Sequence, residues 1–471
     1  MNMYKSFLTV AFFSLLTISS IAQSSVEKDN KQGEEANEQL KQVIGVYEHS
    51  SVNFLNEIGQ RLVSNIDNKM FDYQYGVLDM KEPNAMALPG GYVYFSRGIL
   101  ALANSEDELA GVMGHETIHV HKQHSRKSQN KGIFTGILKL PGAIVGVFAP
   151  NAGSLLMAPF SLMDASYSRK HEEEADDLGA TLAAKSGYDP LGLADILKKI
   201  SDETKIETGE DEEKSFFDSH PYTPNRIEDL EEVISKLDYN RSENITNSHK
   251  EFLMKLEGIV IGDNPIQGVF QDGLFMHPEL NFTIAYPESW DSENSPSAAG
   301  IISPDKKAQV VFTLVDTSKT PFDYAKNFAE GYYRNYHMKP EKGESLRING
   351  FDAEMLVYES DSEEGRAVMS IIWIKRNDYT FKFVSMGLEK YRDISMELVK
   401  SLHTITDSER ESIMQTVLKI VEAKDGETIE ELSSRTGNVL DLEYLALINN
   451  LELDQKLSSG RWVKIGVEKK F

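Results

Sequence analysis

The hydrophobic periodicity of the chain changes near residue 258, and this change constrains the possible fold more than any other feature. Before it, apolar residues recur mostly at helical spacing. After it, short alternating runs predict strands. These runs are Phe282 to Tyr286, Gln309 to Leu314, Ala353 to Tyr358, Ala367 to Ile374 and Tyr379 to Ser385. The sequence therefore predicts a multidomain protein, with a mainly α region followed by an α+β module.

Within the helical region, residues Val26 to Ile66 have helical spacing, and helical patterns return from Ser96 to about Ile234. Between them, Tyr73 to Leu78 and Tyr92 to Phe95 are strand-like runs around a Pro-Gly-Gly breaker. This part of the sequence predicts a hairpin or short sheet beside the helices.

Cysteine is absent from the 471 residues, which excludes disulfides and thiolate metal sites. Any transition metal must be held by His, Asp or Glu. Lys and Arg number 49 against 74 Asp and Glu, a net charge of -25. Because phosphate binding needs a basic face, this charge argues against a nucleic-acid partner.

The first residues are typical of a targeting segment. Lys5 precedes an apolar stretch from Phe7 to Ile18, and small residues precede Gln23. We expect export to the periplasm or cell envelope, with cleavage after Ala22. A membrane anchor is the alternative, but the second half of the uncharged stretch is Ser-rich and too polar to span hydrocarbon.

One string in the helical region carries a metal-site pattern. Ser105 and Glu108 form a capping box that predicts a helix start. His115 and His119 are four residues apart on that helix, so both imidazoles leave one face and can share one ion. Glu116 lies beside them, where it can accept a proton from a metal-bound water, as metal-assisted hydrolysis requires. The alternative is a pair of exposed helix histidines with a neighbouring carboxylate.

A second string favours the metal site. Glu172 and Asp176 also lie four residues apart, and Ala175, Gly179 and Ala183 fall on the same stripe. Such a face allows close packing against the helix with the two histidines. Glu172 would then be the third metal ligand, and Asp176 would fix the tautomer of an imidazole. The alternative is an exposed acidic helix.

These two strings, the segment Asn84 to Gly91 and the segment Ser219 to Ile227 together resemble the M48 metallopeptidases, especially their secreted, periplasmic members. The resemblance covers roughly Glu35 to Leu237. It implies a gluzincin site with one Zn²⁺ per chain. The metal ligands that it implies are His115, His119 and Glu172.

The resemblance also implies roles for further residues. Glu116 would be the general base, Asp176 would support the ligands and Arg226 would buttress the site. His220 would either stabilise the oxyanion or move onto the metal in a latent state. Asn84, Ala85 and Met86 would belong to an edge strand that pairs with the substrate backbone, which favours unfolded or flexible proteins.

Other histidines near the site are interpreted as bystanders. His121 and His124 lie two and five residues past His119, so at 100° per residue both should point away and lie on the surface. His171 is adjacent to Glu172, but its own helix face carries larger residues, and we expect Glu172 to be the ligand.

The uncharged segment Leu140 to Met163 is interrupted by Pro141, Pro150 and Pro159. An unbroken membrane-spanning helix is therefore disfavoured. We interpret the segment as a buried or membrane-touching hairpin that covers the site. Contact with a membrane surface is a further hypothesis.

The end of the chain resembles a LysM module, through Asp425 to Thr428, Ile448 to Leu451 and Ser459 to Arg461. Such modules bind cell-wall glycan. The alternative is a small capping domain without a ligand. The α+β module shows no chemical constellation, and we interpret it as an interaction or positioning domain.

The predicted organisation is a signal peptide at 1–22, an M48-like zinc metallopeptidase domain at 23–255, an α+β accessory domain at 256–408 and a LysM-like module at 409–471. The predicted function is a zinc endopeptidase that cuts unfolded or misassembled envelope proteins. The alternative is an envelope chaperone or scaffold with a latent or structural metal site.

Overall fold

The computed structural model describes residues 26–127, 167–208, 220, 225–296, 298–315, 317–362, 365–376 and 379–471. The predicted signal peptide and the segment Leu140 to Met163 lie outside the described residues. Within the described ranges, we find no helix with the length and apolar character that crossing a membrane requires.

The helices of the described residues follow in chain order. They are α1 (26–43), α2 (Ser51–Val63), α3 (Arg97–Leu102), α4 (Glu106–His121), α5 (His124–Lys127), α6 (Arg169–Lys185), α7 (Leu191–Thr208), α8 (Arg226–Ile234), α9 (His249–Leu256), α10 (Pro321–Tyr336), α11 (Arg392–Ser401), α12 (Asp407–Ser412), α13 (Ile429–Thr436) and α14 (Leu442–Ile448).

The strands of the described residues form four sheets. They are β1 (Gln74–Leu78), β2 (Ala85–Leu88), β3 (Tyr92–Ser96), β4 (Val260–Ile261), β5 (Val269–Gln271), β6 (Leu274–His277), β7 (Phe282–Ala285), β8 (Asp291–Ser295), β9 (Ala298–Ile302), β10 (Ala308–Val315), β11 (Lys342–Ile348), β12 (Phe351–Ser362), β13 (Gly365–Arg376), β14 (Tyr379–Leu388), β15 (Met414–Glu422) and β16 (Trp462–Lys470).

The predicted helical stretch from Val26 to Ile66 is divided into α1 and α2. Gly45 has φ of +84°, a left-handed conformation that cannot continue a helix. Val46 then forms an isolated antiparallel bridge with Leu78. The apolar spacing on either side of the break therefore belongs to two helices, and the break itself is set by a contact with β1.

The first sheet has the strand order β1-β3-β2, with β3 parallel to β1 and antiparallel to β2. The turn between β2 and β3 uses Gly90 at φ of +80° and Gly91 at +107°. Because β3 is the central strand, β2 occupies an edge of this sheet. It also packs against α4, which places that edge beside the helix of the two histidines.

Helices α4 and α6 cross with their backbones in contact. A Cβ built on Gly114 would lie 2.8 Å from the carbonyl oxygen of Gly179, and one built on Gly179 would lie 2.7 Å from the amide nitrogen of His115. Ala175 and Ala183 on the same face of α6 are fully buried. The small-residue stripe predicted from the sequence therefore allows the close approach of the two helices.

We expect Gly179→Ala to destabilise the protein by about 1–3 kcal/mol, because the added methyl meets backbone atoms that must shift. The matched control is Gly331→Ala in α10, where a Cβ meets nothing within 4 Å. That change should be neutral or stabilising, since alanine is the better helix former. Urea unfolding followed by far-UV circular dichroism measures both, and equal stabilities of the two variants would contradict the crossing.

The middle region is built on a seven-stranded sheet of order β11-β12-β13-β14-β10-β9-β8. Strands β13 and β14 pair antiparallel. Helix α10 packs on one face with Tyr358 and Trp373, and helix α11 packs on the other with Phe381 and Phe383. A small sheet, β5-β6-β7, adds Phe275 and Phe282 to the core that contains Phe381 and Phe383.

The end of the chain has the order β15, α13, α14, β16, with the two strands paired antiparallel. Strand β4, which precedes the middle region, joins the same sheet through β15. Leu418 and Ile465 lie in one hydrophobic core with Leu55 and Leu197 of the first region. The fully buried Lys464 donates to the carbonyl oxygens of Ala101 at 2.6 Å and Ala103 at 2.8 Å, which ties the unit to α3.

Candidate metal centre

The start of helix α4 is fixed by buried polar contacts. Ser105 Oγ accepts from the Glu108 amide at 3.1 Å, which is half of the predicted capping box. The Glu108 carboxylate accepts from the Asn104 amide at 2.8 Å. In a standard capping box it would accept from the amide of the next residue, Ser105. Lys199 of α7 donates to both oxygens of Glu108 at 2.7 Å. The helix that carries the histidines is therefore held at its first turn.

Helices α4 and α6 bring the predicted ligands together. His115 Nε2 and His119 Nε2 are 3.0 Å apart. Glu172 of α6 places Oε1 3.3 Å from His119 Nε2 and Oε2 3.6 Å from His115 Nε2. All three side chains are buried. The two i,i+4 spacings, one on each helix, thus converge on one point.

His220 lies inside this cluster. Its Nδ1 is 3.2 Å from His115 Nε2 and 3.1 Å from Glu172 Oε2, and its Nε2 is 3.3 Å from Glu116 Oε1. Each of the four side chains, His115, His119, Glu172 and His220, offers one ligand atom within 4.8 Å of the others. His220 therefore occupies a fourth donor position, between the other ligands and Glu116.

The donor set fits zinc. Zn²⁺ is bound by imidazole nitrogen and carboxylate oxygen at about 2.0–2.2 Å in a tetrahedron, which places neighbouring donors roughly 3.4 Å apart. The donor pairs described above are 3.0 to 3.6 Å apart. These four residues could hold one metal ion without moving apart.

Asp176 and Arg226 support the ligands from behind. His115 Nδ1 lies 2.8 Å from Asp176 Oδ1. Arg226, the first residue of α8, donates to both Asp176 oxygens at 2.7 and 2.9 Å, and lies 3.1 Å from Glu172 Oε2. Burial alone would raise the pKa of Asp176, but the Arg226 charge and the hydrogen bond from His115 outweigh it and lower the pKa to about 2.

The remaining titratable groups have pKa shifts in different directions. Burial raises the pKa of Glu116 and lowers that of His119. The pKa of Glu172 is held well below its usual range, because the His220 charge and hydrogen bonds from His119 and His220 outweigh burial. For His220, burial is outweighed by the charges of Glu172 and Glu116, which raise its pKa. The site thus contains two carboxylates that favour their ionised form, Asp176 and Glu172, and one that resists ionisation, Glu116.

The predicted substrate residues lie on the edge strand. Ala85 and Met86 pair with Phe95 and Tyr94 of β3. Asn84 immediately precedes the strand, and its amide donates to Ser96 Oγ at 2.8 Å. Its buried side-chain oxygen, Oδ1, has no hydrogen-bond partner among the described residues.

Two aromatic residues at the site were not predicted from the sequence. Tyr167 stacks on His119 with ring centroids 3.9 Å apart. The prediction that His124 lies on the surface is wrong, since it is fully buried and its Nδ1 is 3.0 Å from His119 Nδ1. Helix α4 ends at His121, and Gln123 has φ of +54°, so the 100° per residue rule does not extend to His124.

Comparison with known proteins agrees with this geometry. Residues 51–234 match the model of peptidase family M48. The chain is 26% identical over 184 residues to the beta-barrel assembly-enhancing protease of Escherichia coli, covering 37% of each chain. It is 28% identical to the metalloprotease LoiP of E. coli, covering 38% of this chain and 69% of LoiP. It is also 28% identical to the mitochondrial metalloendopeptidase OMA1 of Schizosaccharomyces pombe, covering 41% and 56%.

The chain spans about two fifths of the length of the beta-barrel assembly-enhancing proteases that it matches. The matched segment nevertheless holds the whole donor cluster, from His115 to His220, together with Glu116, Asp176 and Arg226. Residues 51–234 of this chain are therefore similar to peptidase family M48, whose model they match.

Proposed function

We propose that the chain is a zinc-dependent metalloendopeptidase. The observation that carries the proposal is the convergence of His115, His119 and Glu172, with the buried carboxylate of Glu116 next to them. A donor set of two imidazoles and one carboxylate is one of the sets that catalytic zinc sites use when one position is left for water or substrate.

The mechanism follows from the side chains around this point. Zinc, when bound here, would supply a Lewis acid that lowers the pKa of water towards about 7. Glu116 would accept the proton of the attacking water and pass it to the leaving amine. Asp176, 2.8 Å from His115 Nδ1, would hold the proton of His115 on that nitrogen, so that the Nε2 lone pair of His115 points to the ligand cluster. His220 would donate a hydrogen bond to the negative charge that develops on the carbonyl oxygen.

The substrate class follows from the edge strand β2. An edge strand has backbone N–H and C=O groups that an extended peptide can pair with, and this pairing selects little for side chains. Asn84, Ala85 and Met86 would hold the substrate backbone beside α4. The proposed substrates are therefore unfolded or misassembled proteins with extended segments.

The proposed location is the cell envelope, after export and cleavage behind Ala22. Relatives named as beta-barrel assembly-enhancing proteases support a role in handling misassembled envelope proteins. The C-terminal βααβ unit supports the proposal of a LysM-like module that contacts cell-wall glycan. A surface contact of Leu140 to Met163 with a membrane stays a prediction, and the middle region is proposed as an interaction or positioning domain.

A second candidate function is favoured by the position of His220. Structural zinc sites have four protein ligands, whereas catalytic sites keep one position open. With His220 Nδ1 among the donors, the cluster has four. The chain could accordingly be an envelope chaperone or scaffold with a structural metal, or an enzyme held latent until His220 leaves the fourth position.

Metal removal tests the proposed function. We expect one zinc per chain by elemental analysis, and cleavage of unfolded casein that a chelator abolishes and added zinc restores. A compact, folded globular protein used as the control substrate should be cut far more slowly. Stoichiometric zinc without cleavage of any unfolded protein would favour the chaperone or scaffold, and absence of zinc would contradict both candidates.

A further inference from the structure

The two imidazoles of α4 are supported differently on the side away from the donor cluster. His115 meets the buried carboxylate of Asp176. His119 instead meets a second imidazole, with its Nδ1 3.0 Å from His124 Nδ1. The other ring nitrogen of His124, Nε2, is 3.2 Å from Glu174 Oε2. A chain of three side chains therefore runs from the cluster to Glu174, which is about one third exposed.

The backbone places His124 at this position by a change of direction after α4. Lys122 and Gln123 form a turn, and the left-handed Gln123 directs His124 back towards α6. The His124 ring is fully buried and stacks on His171, with centroids 4.4 Å apart and ring planes 10° from parallel. Lys122 Nζ lies 3.5 Å from the second oxygen of Glu174. The ring is thus held both by stacking and by its polar contact.

The geometry allows one consistent assignment of protons. His119 Nε2 faces the other ligand atoms, so a neutral His119 that binds a metal carries its proton on Nδ1. This Nδ1–H then donates to His124 Nδ1, which must be the unprotonated nitrogen of that ring. The proton of His124 is accordingly on Nε2, from which it donates to Glu174. Each ring nitrogen of His119 and His124 then has one role.

We infer that His124, oriented by Glu174, is a positioning residue of the zinc site that fixes the tautomer and the ring orientation of His119. The inference rests on the proposed zinc site. Residues that accept a hydrogen bond from a ligating imidazole contribute to metal affinity, and their replacement costs roughly 10–100-fold. His124 does not contact the reacting atoms, and its effect is transmitted through His119.

Two substitutions separate the hydrogen bond from the packing of the ring. His124→Leu keeps an apolar side chain of similar bulk but removes the acceptor for His119 Nδ1–H. His124→Asn places an amide oxygen on Cγ, where the imidazole carries Nδ1, and so can restore the acceptor. His171→Phe is the matched control, since it keeps an aromatic ring stacked on His124 and leaves the His124 imidazole in place.

Zinc affinity measured by competition with a chromophoric chelator is the main readout, in the full-length chain. We expect His124→Leu to bind zinc about 10–100-fold more weakly, with a changed visible spectrum of the cobalt-substituted protein. His124→Asn should recover most of the affinity, and His171→Phe should bind zinc as the unmodified chain does. The melting temperature of each metal-free variant shows whether it is folded. If His124→Leu does not fold, the test uses the zinc affinity of His124→Asn compared with that of the unmodified chain.

The inference is overturned if His124→Leu binds zinc within about twofold of the unmodified chain, or if His124→Asn loses as much affinity as His124→Leu. Because the readout is metal binding, it does not depend on peptide hydrolysis. A chain that binds zinc tightly and cuts no protein would contradict the proposed endopeptidase, while the effect of His124 on zinc affinity could still be measured.

Discussion

Glu116→Gln is expected to lower the rate of casein cleavage by about 10²–10⁴-fold while zinc remains bound at one per chain. Glutamine has the size of glutamate but cannot accept the proton of the attacking water. Glu116 is fully buried, and its carboxylate forms no hydrogen bond with the described residues, although Oε1 lies 3.3 Å from His220 Nε2. The substitution therefore removes a proton acceptor and leaves the donor cluster intact.

The matched control for this prediction is Glu173→Gln on α6, where the carboxylate is exposed and one residue from a ligand. It should cleave casein at the rate of the unmodified chain. Rates measured at equal zinc content compare the two variants. If Glu116→Gln cleaves casein as fast as the control, Glu116 is not the general base.

The raised pKa of Glu116 supplies a second readout for the same variant. In the metal-free protein the folded-state pKa lies above the unfolded value, so the stability that this group contributes is present below the unfolded pKa. That stability is lost as pH rises through the folded pKa. Glutamine does not titrate. Metal-free Glu116→Gln should therefore lose less stability than the unmodified chain between acidic and neutral pH, as urea unfolding can measure.

Arg226→Met is expected to destabilise the peptidase region by about 3–5 kcal/mol, because it leaves the ionised carboxylate of Asp176 buried without its charge partner. Both side chains are about 5% exposed, and the pair is bidentate. Arg226 also approaches Glu172 and donates to the carbonyl oxygen of His220 at 3.1 Å. The substitution should therefore weaken zinc binding as well as folding.

The matched control is Arg241→Met. Arg241 pairs with Asp107, whose side chain is 11% exposed, but Arg241 itself is 52% exposed, so solvent screens this pair and its loss should cost less than loss of the fully buried pair. Urea unfolding by far-UV circular dichroism compares the two variants. A loss for Arg226→Met no larger than that for Arg241→Met would contradict the role of the buried pair.

The pH dependence of this pair has a definite sign. The pKa of Asp176 is lowered to about 2, so its stabilising contribution is present above the unfolded value near 3.9 and is lost as pH falls towards 2. In Arg226→Met the main opposing charge is gone, and the pKa of Asp176 should rise. The difference in stability between the two proteins should then shrink as the pH falls below about 4.

The sequence alone was sufficient for the parts of the site that depend on helical repetition. His115 with His119, and Glu172 with Asp176, follow from i,i+4 spacing, because residues one turn apart share a face. The stripe of Ala175, Gly179 and Ala183 predicts where two helices can approach closely. These are local rules, and they hold whatever the rest of the chain does. The sequence left the packing of α6 against α4 as a hypothesis. The structure decides it through the close approach of Gly114 and Gly179.

Tertiary structure decided the positions that depend on turns and on distant segments. His124 is buried beside His119 because Gln123 adopts a left-handed conformation, for which its residue type gives no warning. His220 reaches the donor cluster across more than 100 residues from His115. Lys464 joins the C-terminal unit to α3 from still farther along the chain. Such contacts depend on the packing of whole elements, which periodicity within a short segment does not encode.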